Sequence, residues 1–315
     1  MRVAICGGSG FVGSNLVLHL QHTEPSTEIV IVDTAVPQVP IGGNTRYVYA
    51  DVRNLASLVR AFEGCQEVYH LAGVLGTSEL LPITSLAAEV NVAGVANVLD
   101  ACVMAHVERV YNVAKPHFDS LHENTYTLTK NAGELLGLLY REKHGLKVAT
   151  VRWLNAVGPY QHLYPIRKLV PCMVLFALEG IPLEIYGDGT QTIDPIDARD
   201  MARFTVYACR HLDGERVVDL GSGRAISCND AARLIVERVR HRHHGPKSAI
   251  VHVPMRPGEK EGVNLVADMS YWTSIGMATE HSFESSIDSV IDHVMKMPAT
   301  HLRNSLAFYG KKPSR

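Results

Sequence analysis

The sequence contains no CxxC pair, and its six cysteines, at positions 6, 65, 102, 172, 209 and 228, are scattered along 315 residues. Such spacing offers neither a disulfide framework nor a zinc knuckle, so these cysteines read as small core residues in a reducing compartment. An excess of one charge is also missing. Thirty basic and 32 acidic residues leave a formal net charge of −2, which removes the electrostatic case for nucleic acid. The densest basic run, Arg238 to His244, closes a predicted helix, where cations complement the dipole. No carboxylate or cysteine stands at ligand spacing beside its histidines, and no metal site is expected. The most apolar helical stretch, near Leu169 to Leu178, is too short to cross a bilayer. The chain opens directly on an apolar strand, which leaves no room for a signal peptide. Internal repeats and low-complexity segments are absent too. These absences predict a cytoplasmic protein without nucleic-acid or membrane partners.

What is present is a globular composition, 46% hydrophobic and 20% charged, in a chain long enough for one large core or two joined lobes. Its organising stretch is Gly7-Gly8-Ser9-Gly10-Phe11-Val12-Gly13. It follows the apolar run Val3 to Cys6, which reads as a buried parallel strand, and opens an amphipathic segment that reads as a helix. Glycines in a strand–turn–helix let backbone N–H groups approach a dinucleotide pyrophosphate, and the helix N-terminus favours its charge. The next strand, Ile29 to Val32, ends in Asp33, 20 residues after Gly13, where an acid meets the adenosine ribose hydroxyls. A carboxylate there prefers NAD to NADP, and Arg46 lies too far along to answer a 2′-phosphate. Asp51 and Val52 close a third strand and are placed to meet the adenine; a helix N-cap is the alternative role for Asp51. A fourth strand, Glu67 to Leu71, runs into Ala72-Gly73, small residues that let the backbone pass close under a cofactor.

Strands and helices alternate through the first half. Long helices are predicted over Ser85 to Met104, whose pattern Asn91 interrupts, and over Tyr126 to Lys143, with strands at Val107 to Val113 and Leu146 to Trp153. Alternation of this kind predicts an α/β, Rossmann-type, doubly wound parallel sheet with helices on both faces. Beyond Gly158-Pro159 it loosens. Helices are expected over Ile166 to Leu178, Ala198 to Arg210, from Ser227 and Asp230 (a capping box) through Val239, and over Phe283 to Met295. Short strands fall at Leu183 to Tyr186, Val217 to Leu220 and Ile250 to Val253, and the last five residues read as a loose tail. The expected domains are residues 1–164, binding NAD, and 165–315, a smaller α+β substrate lobe over the carboxyl edge of the sheet, with some strands returning to the first.

Tyr126 and Lys130 lie one helical turn apart on one face. An adjacent ammonium lowers a phenol's pKa, and a phenol so tuned can take a hydroxyl proton while hydride leaves the same carbon for a nicotinamide. Two other YxxxK pairs fail on context. Tyr111 and Lys115 fall in a strand, and Pro165 disfavours a helical Tyr164 before Lys168.

With these blocks in order, the chain resembles the extended short-chain dehydrogenase/reductases, specifically the NAD-dependent sugar-nucleotide epimerases and dehydratases typified by UDP-glucose 4-epimerase. The likeness runs from Met1 to about Val294 and takes in the glycine stretch, Asp33, Asp51-Val52, His70 to Gly73, Asn91-Val92, Tyr126/Lys130, Arg152 to Pro159, Tyr186 to Thr192, Leu220 to Gly223 and Arg256 to Glu259. It implies a bound NAD that transiently oxidises a sugar, usually at carbon 4. Tyr126 would be the base, Lys130 would orient ribose and phenol, and Asn91 would join the cofactor residues. On the substrate side Asn155 would bond the sugar, Arg256 would pair with the diphosphate, and Tyr186 would line the base site. For each a plainer role stays open: a strand-end turn, a surface arginine, a core aromatic. The two long helices have apolar faces wider than a sheet needs, and in the resembling family such helices pair; a homodimer is expected.

Three departures bear on the reaction. The serine or threonine usual after strand five is replaced at Ala114 or Lys115, with Ser120, Thr125 and Lys115 as substitutes. The segment from there to Tyr126 is short and lacks the acidic pair of dehydratases. The arginine usual after the Gly187-Asp188-Gly189 block is Ile193. The sequence thus supports an epimerase-type enzyme first, and then a net oxidoreductase on a sugar or secondary-metabolite alcohol, or a dehydratase or decarboxylase. A non-catalytic NAD sensor comes last, since both Tyr126 and Lys130 are retained.

Overall fold

A computed structural model describes every residue except 117–119, 213, 215, 244–247, 260–261 and 313–315. The chain forms two compact units, Met1–Trp153 with Arg199–Leu220, and Leu154–Ala198 with Gly221–Arg315. The first segment of the first unit thus ends at Trp153, and residues 154–164, expected in the first domain, fall in the second unit.

The chain begins with β1 (Arg2–Cys6), α1 (Phe11–Thr23), β2 (Glu28–Asp33), β3 (Thr45–Tyr49), α2 (Leu55–Phe62) and β4 (Glu67–His70). Then come α3 (Thr84–Ala88), α4 (Gly94–Met104), β5 (Arg109–Ala114), α5 (Thr125–His144) and β6 (Lys147–Trp153). It leaves the first unit for β7 (Asn155–Val157), α6 (Leu169–Leu178), β8 (Leu183–Tyr186), β9 (Thr192–Ile193) and β10 (Pro195–Asp197). It returns through α7 (Ala198–His211) and β11 (Val218–Leu220), and ends in β12 (Ile226–Ser227), α8 (Cys228–His243), β13 (Ile250–Val253), α9 (Ser270–Ser274), α10 (Phe283–Met295) and α11 (Ala299–Phe308).

The first unit is a seven-stranded sheet in the order β11-β6-β5-β4-β1-β2-β3, every pair parallel. Strand order reverses between β1 and β4, the switch point at whose carboxyl ends such sheets take ligands. Alternation of side chains sorts the faces. Ala4, Val30, Val68, Val110 and Val148 pack with α2, α4 and α5 through Leu58, Phe62, Val98, Leu99, Cys102 and Tyr140. The intervening residues Val3, Ile5, Ile29 and Ile31 are buried on the opposite face, where Arg210 of α7 bonds Glu67 of β4 at 2.8 Å.

The helical run Leu81–Met104 is long and apolar enough by length and composition to cross a bilayer. Its inner residues Ala87, Val95, Val98 and Leu99 are buried, and α4 packs on α2, α5 and β4, which reads as a core helix. A π turn over Glu89–Ala93 breaks it where Asn91 interrupts the apolar pattern. All six cysteines are free and buried.

In the second unit, α6, α8 and α10 enclose a separate core with Leu183 and Ile185 of β8, and β8 pairs in parallel with β13. Residues 166–168, expected in α6, lie outside it; Lys168 is extended, and the helix starts at Leu169. Ser227 caps α8 by accepting from Asp230 N at 3.0 Å, and its hydroxyl donates to the Asp230 carboxylate at 2.5 Å. The basic run is tied down rather than merely solvated: Arg238 and Arg242 pair with Asp288 and Asp292 of α10. Its last member, His244, lies outside the described residues, as do the last three of the tail. Lys311, at the start of that tail, is anchored by an ion pair with Glu184. No group of metal-ligating side chains occurs among the described residues.

Candidate active site

The glycine turn is closed by contacts that leave no room for side chains. Gly7 has φ +80°, and a Cβ on it would lie 2.7 Å from Ala72 N. A Cβ on Gly13 would lie 2.1 Å from Gly7 O, which lets α1 descend onto the turn. Gly7 N donates to Val32 O, Gly10 N to Gly7 O and Leu71 N to Cys6 O, so the turn and the chain leaving β4 are held at the switch point. Gly10 caps α1, a 13-residue helix, without a side-chain hydrogen bond. Such a terminus suits a phosphate. Phe11 and Val12 open that helix. Asp33 reaches back to the turn: one carboxylate oxygen accepts from Ser9 N and the other from Ala35 N, both at 3.0 Å. A carboxylate has about four acceptor positions, so ribose hydroxyls can still be met.

Asp51 does not cap α2; Asn54 does, its Oδ1 accepting from Ser57 N at 3.1 Å. The Asp51 carboxylate is gripped by Arg53 at 2.7 Å, which holds it below the usual carboxylate range. Val52 is buried, and its carbonyl accepts from Asn97 Nδ2 at 2.9 Å. Asn91, within the π turn, is 2% exposed, and its amide is committed to scaffolding. It donates to Val74 O and accepts from Val74 N, both at 2.9 Å, and donates to Thr129. It therefore fixes the chain just after Gly73.

Helix α5 is well delimited. Asn124 caps it by accepting from Thr127 N at 2.9 Å, and Gly145 ends it with φ +67°. Tyr126 and Lys130 both lie on it, Tyr126 half-buried and Lys130 buried. Burial governs both groups. It pushes the Tyr126 phenol up to about 12, against the expected lowering by Lys130. It pushes the Lys130 ammonium down to about 8. Loss of solvation disfavours the charged form of each.

Lys115, just beyond β5, donates to Thr127 Oγ1 at 2.9 Å, beside Tyr126 in the chain. Thr125, the first residue of α5, is engaged with Thr84 at 3.0 Å. The other YxxxK tyrosines are structural. Tyr111 is fully buried and accepts from Trp153 at 2.5 Å, and Tyr164 precedes α6.

In the second unit Tyr186 and Arg256 are brought together, the guanidinium 5.0 Å from the ring. Arg256 also pairs with Glu259. Arg167 stands 5.0 Å from the same ring and donates to its hydroxyl at 2.8 Å, a partner the sequence reading missed because it placed Arg167 inside a helix. Asn155 begins β7, exposed, with its Oδ1 accepting from Asp194 N at 3.0 Å. Ile193 packs against the core of this unit and pairs with Ile226.

The model of the NAD dependent epimerase/dehydratase family matches residues 3–221. The chain belongs to that family. Among relatives of this family member, the low-salt glycan biosynthesis protein Agl12 of Haloferax volcanii is 25% identical, over 94% of this chain and 99% of its own. A UDP-N-acetyl-alpha-D-glucosaminuronate decarboxylase of Bacillus cytotoxicus is 28% identical, over 80% of this chain and 83% of its own. In structure, the UDP-glucose 4-epimerase of Thermus thermophilus, solved with NAD, superposes with a TM-score of 0.82 over 95% of this chain and 100% of that one, at 23% identity. The protein is thus an NAD-dependent enzyme of the epimerase/dehydratase family with the fold of those epimerases. The glycine cradle, the N-terminus of α1 and Asp33 fit the cofactor.

Proposed function

We propose that the enzyme takes a nucleotide sugar, oxidises one of its hydroxyl-bearing carbons transiently and returns the hydride with altered stereochemistry. The observation that carries this reading is the Tyr126/Lys130 pair on α5, in the same compact unit as the glycine cradle and Asp33. NAD supplies the hydride acceptor when bound. Tyr126 takes the hydroxyl proton as the carbon is oxidised and returns it on reduction. Burial by itself would keep the phenol protonated, so Lys130, at about 8 still mostly an ammonium at neutral pH, stabilises the phenolate as it forms. In the second unit Tyr186 offers a face to the nucleotide base, Arg256 a guanidinium to the diphosphate and Asn155 an amide to the sugar. Lys115 in place of a hydroxyl and Ile193 in place of an arginine favour, as a second reading, net oxidation of a different alcohol.

Incubation with NAD and a panel of nucleotide sugars tests this, reading product mass and NADH absorbance. Unchanged mass, altered stereochemistry and no net NADH support epimerisation. Loss of water or carbon dioxide supports a dehydratase or decarboxylase, and accumulating NADH supports the oxidoreductase.

We further infer a homodimer formed through the outward apolar residues of α4 and α5, and a cytoplasmic enzyme free of the membrane, in keeping with its six unpaired buried thiols.

A further inference from the structure

Three neighbouring strands each carry one polar side chain on the face that α4 and α5 cover. His70 ends β4 two residues after Val68, Asn112 follows Val110 on β5, and Thr150 follows Val148 on β6. Strand register sets them in a row, His70 opposite Asn112 and Asn112 opposite Thr150. All three are at most 2% exposed. The row runs beneath α5: Asn112 Nδ2 donates to Gly133 O at 3.1 Å, and a Cβ on Gly137 would lie 3.0 Å from Thr150 Oγ1. Among the described residues, four of its polar atoms have no protein partner, namely both His70 ring nitrogens, Asn112 Oδ1 and Thr150 Oγ1. Buried polar atoms are nearly always satisfied, and where protein does not do so ordered water does.

Lys130 lies on the buried face of α5 that also presents Gly133, Glu134 and Gly137 to the sheet, one helical turn before Gly133 and Glu134. Its charge bears on His70: burial first, and then Lys130, hold the imidazole down to about 3, so the ring is neutral, with one donor and one acceptor nitrogen. The other ionisable groups around this face are Tyr126 and Glu134 on α5, Arg152 on β6, Cys6 on β1, and Glu89 and Asp100 on the α4 side. Glu134 is committed to Arg152, Glu89 to Arg53 and Asp100 to Tyr140. Cys6 is a buried thiol.

We propose that His70 is a positioning residue for Lys130: its neutral ring, with Asn112 and Thr150, holds ordered water beneath α5, and that water accepts a hydrogen bond from the lysine ammonium. The lysine would thereby keep its charge and its place beside Tyr126 in a site that otherwise strips it of solvent. The proposal rests on the reading of Lys130 as the partner of Tyr126.

The test is the titration of Lys130 itself, followed by NMR on protein carrying 13C-labelled lysine, the resonance assigned by its loss in Lys130→Met. His70→Leu is expected to lower the Lys130 midpoint by about one unit, because a buried ammonium that loses its acceptor is disfavoured. His70→Asn, which keeps a donor and an acceptor, is expected to recover at least half of that shift. Should His70→Leu not fold, Thr150→Val, nearly isosteric and at the far end of the row, is expected to shift the midpoint in the same direction. An unmoved midpoint in the folded variant, or an asparagine no better than leucine, overturns the proposal. The readout needs no nucleotide sugar. A protein that turns over none of the panel can still show the shift, and an active epimerase with an unmoved midpoint rejects the row alone.

Discussion

At the scale of single residues, burial pulls Tyr126 and Lys130 toward their neutral forms, and for Lys130 this has a consequence for stability. Its midpoint in the folded chain is about 8, against an ordinary 10.5. Between those values the unfolded chain holds the proton and the folded one does not, so this residue's contribution to stability rises with pH through that window and is least favourable below it. At pH 7 the buried ammonium costs up to about 3 kcal/mol. Lys130→Met is therefore expected to raise the melting temperature at pH 7 and to abolish the gain between pH 8 and 10, as calorimetry would show, while activity falls. Tyr126→Phe is expected to lower turnover by roughly 10²–10⁴-fold with NAD affinity little changed, since only the proton-transferring oxygen is lost; kinetics beside calorimetric titration would check both. The pair itself was legible from its spacing on a helix. The direction of the Tyr126 shift was not, because spacing reveals a neighbour's charge but not how far solvent is excluded. Asp51 shows the same limit: its position at a strand end was readable, its capture by Arg53 two residues on was not.

At the scale of elements, the strand–turn–helix at the N-terminus was legible almost whole, because glycines at 7, 10 and 13 and a buried apolar strand have few other uses together. The close contacts explain why. The atom nearest to a Gly13 Cβ is a backbone oxygen at 2.1 Å, which cannot swing aside as a side chain could. Gly13→Ala is expected to push α1 off the turn, costing about 1–3 kcal/mol of stability and at least tenfold in NAD affinity, to be read by thermal melting and calorimetric titration. Other elements left less trace. β7, β9, β10 and β12 have two or three residues each, too few for a period of two to declare itself. The π turn at Glu89–Ala93 showed in the sequence only as an asparagine out of pattern, since what it accomplishes, the paired bonds of Asn91 to Val74, joins residues 17 apart.

At the scale of the whole molecule, the alternation of strand and helix was enough to predict a parallel sheet, whereas the chain's exit at Trp153 and return at Arg199 follow from contacts distant in sequence. Helix α5 carries a signal of its own. Its buried side is polar or small, with Thr127, Lys130, Asn131, Gly133, Glu134 and Gly137, and its leucines at 128, 135 and 139 are 46–62% exposed. Positions 128, 135 and 139 fall on one face, and Met104 at the end of α4 is also exposed. An isolated chain gains nothing by turning leucines outward while burying a lysine and a glutamate. A second copy covering that face would recover their apolar burial at roughly 1.5–3 kcal/mol for each leucine fully buried. Leu135, the most exposed of the three, is where a charge would do most harm. Leu135→Glu is expected to convert a dimer at micromolar concentration into a monomer by light scattering, with the fold intact by circular dichroism. Leu135→Met, which keeps the apolar contact, should leave the mass unchanged. A monomer mass for the unsubstituted protein, or a Leu135→Glu protein that remains dimeric, would place the contact elsewhere or remove it, and the outward leucines of α5 would then require another occupant.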